Sequence, residues 1–94
     1  MPAVSQRAYT LVVSDTRDGA FEIEIFTTQK AQRARAREII AELMHETGAK
    51  RCGSLRSGQV SVAHTVVLLA TYTEPGAVRR FLLAKERKES ARNG

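Results

Sequence analysis

The chain has no tryptophan, a single cysteine, two prolines, three phenylalanines and two tyrosines in 94 residues. Each shortage closes off a class of protein. One cysteine, Cys52, cannot form an intrachain disulfide, and its isolation suits a reducing compartment. So few aromatics leave little from which to build a stacking platform for bases, Phe26 being the one candidate, or the walls of an ordinary substrate pocket. The longest apolar run, Val66 to Ala70, is far short of the roughly 20 residues a membrane helix needs. The opening Met-Pro-Ala-Val-Ser-Gln-Arg lacks the basic-then-apolar layout of a signal peptide. These absences predict a cytoplasmic protein with no membrane partner.

Chemistry-bearing motifs are equally scarce. No Gly-Lys-Ser/Thr triplet follows a glycine, so there is no phosphate loop. The soft metal ligands His45, Cys52 and His64 match no zinc spacing, and no metal or cofactor is expected. Glu22 and Glu24 stand two apart on one strand face, a pattern that keeps an apolar hairpin soluble more readily than it builds an acid–base pair. A cysteine–histidine nucleophile would need an orienting third group and a pocket. The expectation is a protein that is not an enzyme.

What the chain has in plenty is arginine: eleven of fifteen basic residues, with a formal net charge of +5. Arginine suits bidentate contacts with phosphate or carboxylate. The charge is uneven. Residues 1–27 hold two bases and four acids, residues 28–59 seven bases and three acids, and residues 60–94 six bases and three acids. An acidic partner would therefore meet the later segments and not the first hairpin.

Periodicity supplies the elements. Arg7 to Ser14 alternates Tyr9, Leu11 and Val13 with Ala8, Thr10 and Val12, as a strand does. Asp18-Gly19 can take the positive φ values of a tight turn, and Phe21, Ile23 and Ile25 alternate with Glu22, Glu24 and Phe26 in a returning strand. Thr27 or Thr28 can cap a helix to about Thr47, with Gly48 just past its end. At about 100° per residue, Ala36, Ile39, Ile40, Leu43, Met44 and Thr47 share one face with Gln32 at its start. Arg35 lies opposite with Glu38, Glu42 and Glu46, while Lys30, Arg33 and Arg37 form a basic stripe on one shoulder. Ala49 to Leu55 reads as a weak strand and Arg56 to Gln59 as a turn. Val60 to Tyr72, rich in β-branched residues and free of Gly and Pro, reads as one long strand. Thr73-Glu74-Pro75 begins a second helix. Its inner face holds Ala77, Val78, Phe81, Leu82 and Lys85, and its outer face Arg79, Arg80, Glu86, Arg87 and the stray Leu83. The ends, about 1–6 and 90–94, should be loose.

The sum is a single α+β domain in the order β-β-α-β-β-α: an antiparallel four-stranded sheet with both helices on one face, a two-layer sandwich. Under that arrangement Tyr9/Leu11/Val13, Phe21/Ile23/Ile25 and Val62/Val66/Leu68 point inward. Val12, Phe26, Val67 and Leu69 then lie bare on the other side. A small monomer rarely leaves such a patch wet, which predicts a homodimer or a protein partner docked there, or on Leu83.

Two functions fit. The first is a small basic regulator, adaptor or inhibitor that docks on a larger protein or ribonucleoprotein, of the kind mobile elements encode. The second is a protein that binds DNA or RNA through the phosphate backbone, using Lys30, Arg33 and Arg37, the turn residues Lys50, Arg51 and Arg56, and the helix surface Arg79, Arg80 and Arg87. No aromatic or Gly-x-x-Gly signature of a sequence-reading RNA module is present, so such binding would read charge or shape.

Overall fold

A computed structural model describes residues 6–93; Gly94 and most of the expected loose N-terminal tail lie outside that range. The elements are β1 (Ala8–Asp15), β2 (Phe21–Phe26), α1 (Gln29–Thr47), a single 3-10 turn (Leu55–Ser57), β3 (Gln59–Val62), β4 (Thr65–Tyr72) and α2 (Pro75–Asn93). All strands are antiparallel, in the order β2-β1-β4-β3. The α+β class, the four-stranded sheet, the two helices and their order are those the sequence predicts.

The long strand predicted over Val60–Tyr72 is a hairpin. Val62 pairs with Thr65, so Ala63 and His64 form a two-residue loop, and Ala63 takes the left-handed conformation with φ 52°. Two-residue hairpin loops require positive φ, for which Asn or Gly is the usual choice. An Ala-His pair therefore hides the turn. The bond from Thr16 N–H to the His64 carbonyl, 2.8 Å, ties this turn to the end of β1. The weak strand predicted over Ala49–Leu55 does not form; those residues are irregular and end in the 3-10 turn, which Ser54 caps.

Register fixes the two faces of the sheet. Leu11 pairs with Leu69 and Val13 with Val67, while Val67 pairs with Val60. Residues directly opposite share a face, so Leu11, Val13, Val67, Leu69, Val60 and Val62 look the same way. Helix α1 packs there, its Ala36, Ile39 and Ile40 forming one buried cluster with Leu11, Val60, Val62 and Val67. Phe26 and Leu69 pack against that cluster. Thr28 accepts the Ala31 N–H at the start of α1, and Gly48, with φ 73°, closes it in the left-handed conformation. Buried Gln32 braces the top of this layer by donating to the carbonyls of Thr10 at 2.8 Å and Ala70 at 3.1 Å.

Helix α2 lies on the opposite, back face, so the layering differs in one detail from the expected two layers. Ala8, Thr10 and Ile25, which point to the back, are buried along with Val78 of α2. Tyr72 also points back through its pairing with Ala8, and its ring meets Phe81 at 4.7 Å. Seven residues further on, the Lys88 ammonium donates to the Ile23 carbonyl at 2.7 Å. Seven helical residues rise about 10 Å, close to the distance from β4 across β1 to β2. α2 thus crosses the strands steeply and covers only their upper end. The molecule is accordingly long, 50 × 33 × 21 Å with a radius of gyration of 14.8 Å, where a compact chain of this length has about 12 Å.

The physical reason for the revised layering is parity. Phe21/Ile23/Ile25 were expected beside Tyr9/Leu11/Val13, but Leu11 pairs with Glu24 and Val13 with Glu22. The apolar side of β2 therefore faces back with Val12. In β4 the hidden two-residue turn shifts alternation in the same way, sending Val67 and Leu69 forward and Val66 and Leu68 back.

Candidate interaction surfaces

Below the strip that α2 covers, the back of the sheet carries two cross-strand rows. One is Ile23–Val12–Leu68–Gln59 and the other Phe21–Ser14–Val66–Ser61. Neither row contains a charge, in a chain that is 27% charged. Leu68 is 40% and Phe21 66% exposed, and Val12, Ile23 and Val66 are half-buried. Phe81 and Tyr72 stand at the upper border of this surface.

The bare apolar face inferred from sequence thus exists with different members. Of its expected residues, Val12 belongs to it. Val67 is fully buried in the front core, and Phe26 and Leu69 pack against that core, so these three are not a free interface. Phe21, Ile23, Val66 and Leu68 take their place. A signal for them was in the sequence: alternate positions from 21 to 25 and from 66 to 70 carry no charge, and they match Val12 in hydropathy. Leu83 is 46% exposed on the outer side of α2, among exposed Arg79, Arg80 and Arg87.

The charges are sorted between the two flanks of α1. Arg35 reaches down to Glu24 of β2 at 3.1 Å and along the helix to Glu38 at 3.1 Å. These carboxylates, Glu38 foremost, push the Arg35 guanidinium pKa up. The β2 side therefore carries Glu22 and Glu24 on the strand and the stripe Glu38, Glu42 and Glu46 on the helix, with the Arg35 guanidinium bridging Glu24 and Glu38. Helical periodicity places Lys30, Arg33 and Arg37 on the other flank, toward β4 and β3. Lys50, Arg51 and Arg56 lie in the connection that leads into β3. None of these six bases forms an ion pair among the described residues.

Two carboxylates serve local structure. Asp15 accepts from the Arg17 guanidinium and backbone N–H across the first turn. The Arg17 side chain, with help from that N–H, holds the Asp15 pKa down at about 2. Glu74, not Thr73, caps α2: its carboxylate accepts the N–H groups of Gly76 and Ala77, each at 2.8 Å, which lowers its pKa. Among the described residues no three His, Cys, Asp or Glu side chains gather as metal ligands, and no helix is long and apolar enough to cross a membrane. Cys52 is exposed.

Compared with known proteins, the chain matches no family model, no curated protein and no solved structure.

Proposed function

We propose that this protein is a non-enzymatic, cytoplasmic binding module, a regulator, adaptor or inhibitor that docks on a larger protein or ribonucleoprotein. The observation that carries the reading is the pair of uncharged rows on the back of the sheet, where α2 stops short and Leu68 and Phe21 stay open to water. Exposed apolar surface with a polar rim marks an interaction site once the contiguous patch grows beyond a few hundred Å². A homodimer is the other use of this face. The two rows span about 19 by 14 Å from strand and residue spacings, roughly 270 Å², against about 800 Å² per partner in a standard interface. A larger partner can extend the footprint over Phe81, Leu83 and the β2 edge, which favours it over a second copy.

The test is Leu68→Glu. Its side chain is already partly in water, so folding should change by no more than about 0.5 kcal/mol, while capture of the partner from the native host, with nuclease treatment as a control, should fall at least tenfold. Unchanged capture would remove this face from the reading. Light scattering on the same pair of proteins separates the dimer, since a mass that halves on substitution identifies a second copy as the occupant.

A second reading has its own observation, the unpaired basic flank of Lys30, Arg33 and Arg37 with Lys50, Arg51 and Arg56 beyond it. Such a surface can neutralise phosphates of DNA or RNA without reading sequence. Affinity for a generic duplex or single strand should then fall steeply with salt. Arg33→Ala with Arg37→Ala should lower it further and flatten the salt slope by about two charges. Affinity indifferent to that double change would exclude the flank.

A further inference from the structure

The two edges of the sheet are not equally closed. At the β3 edge, the Ser57 hydroxyl engages the Gln59 N–H and carbonyl, so little of that four-residue edge is left open. At the β2 edge the Asp15 N–H donates to the Ala20 carbonyl, which sets the phase of the β1–β2 ladder. Glu22, Glu24 and Phe26 turn their backbone groups toward β1, and Phe21, Ile23 and Ile25 turn theirs outward. Of those outward groups the Ile23 carbonyl is met by the Lys88 ammonium. A cleft of about 220 Å³ runs along the upper half of this edge, between Ile23–Phe26 and the Lys85, Lys88 and Glu89 side of α2.

We infer that the β2 edge receives an extended segment of a partner protein whose side chains alternate basic and apolar. Strand addition needs an open row of backbone donors and acceptors, and pockets or charges that read alternate side chains. Here the front side of the added strand would lie beside exposed Glu22 and half-exposed Glu24, backed by Glu38, Glu42 and Glu46 of α1. Its back side would lie beside Phe21 and Ile23 and continue the apolar rows. A second copy fits poorly, because antiparallel pairing of β2 with itself about Ile23 sets Glu22 against the other copy's Glu24, and like charges directly opposite destabilise a sheet. Lys88 occupies the central acceptor in the free protein, as lysines do on guarded edges. The incoming strand displaces it. This inference rests on the docking reading for its biological sense and extends that footprint around the sheet's edge.

The probe is a blocked six-residue peptide of alternating lysine and valine, compared with its glutamate–valine counterpart, with amide hydrogen exchange read residue by residue. The basic peptide should slow exchange at Phe21, Ile23 and Ile25, and backbone N-methylation of the peptide should abolish the effect. Glu22→Lys should weaken the basic peptide at least threefold and strengthen the acidic one. Lys88→Ala should tighten binding by up to about fivefold, the most an exposed contact of this kind is worth. Protection elsewhere, no protection, or equal binding of the two peptides overturns the inference. So does protection of these three amides in the concentrated protein alone, which would make a second copy the occupant. Leu68→Glu should leave the peptide effect intact, so failure of the docking face and failure of the edge are told apart.

Discussion

The front and back of this sheet come from the same four strands, yet one is a core and the other is half a core. In front, α1 buries Gln32, Ala36, Ile39 and Ile40 and seals Leu11, Val60, Val62 and Val67. Behind, a helix of the same length, 19 residues, contributes one buried apolar residue, Val78. Length does not decide how much a helix stabilises; the number of apolar side chains it takes out of water does. α1 carries them in one continuous stripe. α2 crosses the strands steeply and spends its second half over the β2 edge and beyond, where Lys85 and Glu89 pair with each other and Lys88 reaches a carbonyl. The front therefore holds the fold, and the back leaves apolar side chains such as Leu68 and Phe21 open to water.

Adjacent residues on β1 give the sharpest way to break that contrast. Leu11 is fully buried in front and Val12 half-buried behind. Leu11→Ala should cost about 3 kcal/mol, the transfer loss plus the cavity left under α1. Val12→Ala removes less apolar surface from a site that water already reaches and should cost under about 1 kcal/mol. Urea unfolding of the two variants checks both values, and equal costs would mean that the back is as well packed as the front.

How much of this was legible in the sequence turns on two short stretches. Elements with strong periodicity or caps were readable: β1 and β2 by alternation, α1 by its stripe from Ala36 to Met44 between Thr28 and Gly48, the start of α2 by Glu74-Pro75. The assignment of faces was not. In β2 the apolar residues looked like the core side, but an edge strand can turn its acids toward a helix if water and a cation reach them. Glu24 does so with Arg35, while Glu22 simply stays exposed. At Ala63-His64 nothing in the residue types announces a turn, and missing it reversed the parity of all of β4. Of the expected interface residues, Val67 and Leu69 turn forward because of this hairpin, and Phe26 does so because β2 turns its acids, not its apolar residues, toward α1. The strain left by this turn is testable. A left-handed Ala costs about 1 kcal/mol, and Asn tolerates that region far better. Ala63→Asn should therefore stabilise the protein by up to about 1 kcal/mol, measured as a higher urea midpoint at unchanged slope. A loss of stability would show that the turn is held by contacts specific to alanine.

The smallest effect separates the two helices by the chemistry of their caps. α1 starts on a hydroxyl, Thr28, which does not titrate, whereas α2 starts on a carboxylate, Glu74, whose folded pKa lies below its ordinary value of 4.5 because the Gly76 and Ala77 N–H groups bond its charged form. A depressed folded pKa means the stabilisation is present above the unfolded value and is lost as pH falls through the folded one. Acidification from pH 5 toward pH 2 should then loosen the first turn of α2, seen as faster amide exchange at Gly76 and Ala77, with the Ala31 amide of α1 unaffected. The Asp15 carboxylate, held at about 2 by Arg17, should keep the first hairpin turn closed until the bottom of that range. Glu74→Gln should reproduce the loosening at neutral pH and remove its pH dependence. If Ala31 and Gly76 respond to acid together, the two layers unfold as one unit and the back of the sheet is not the separable half that its packing indicates.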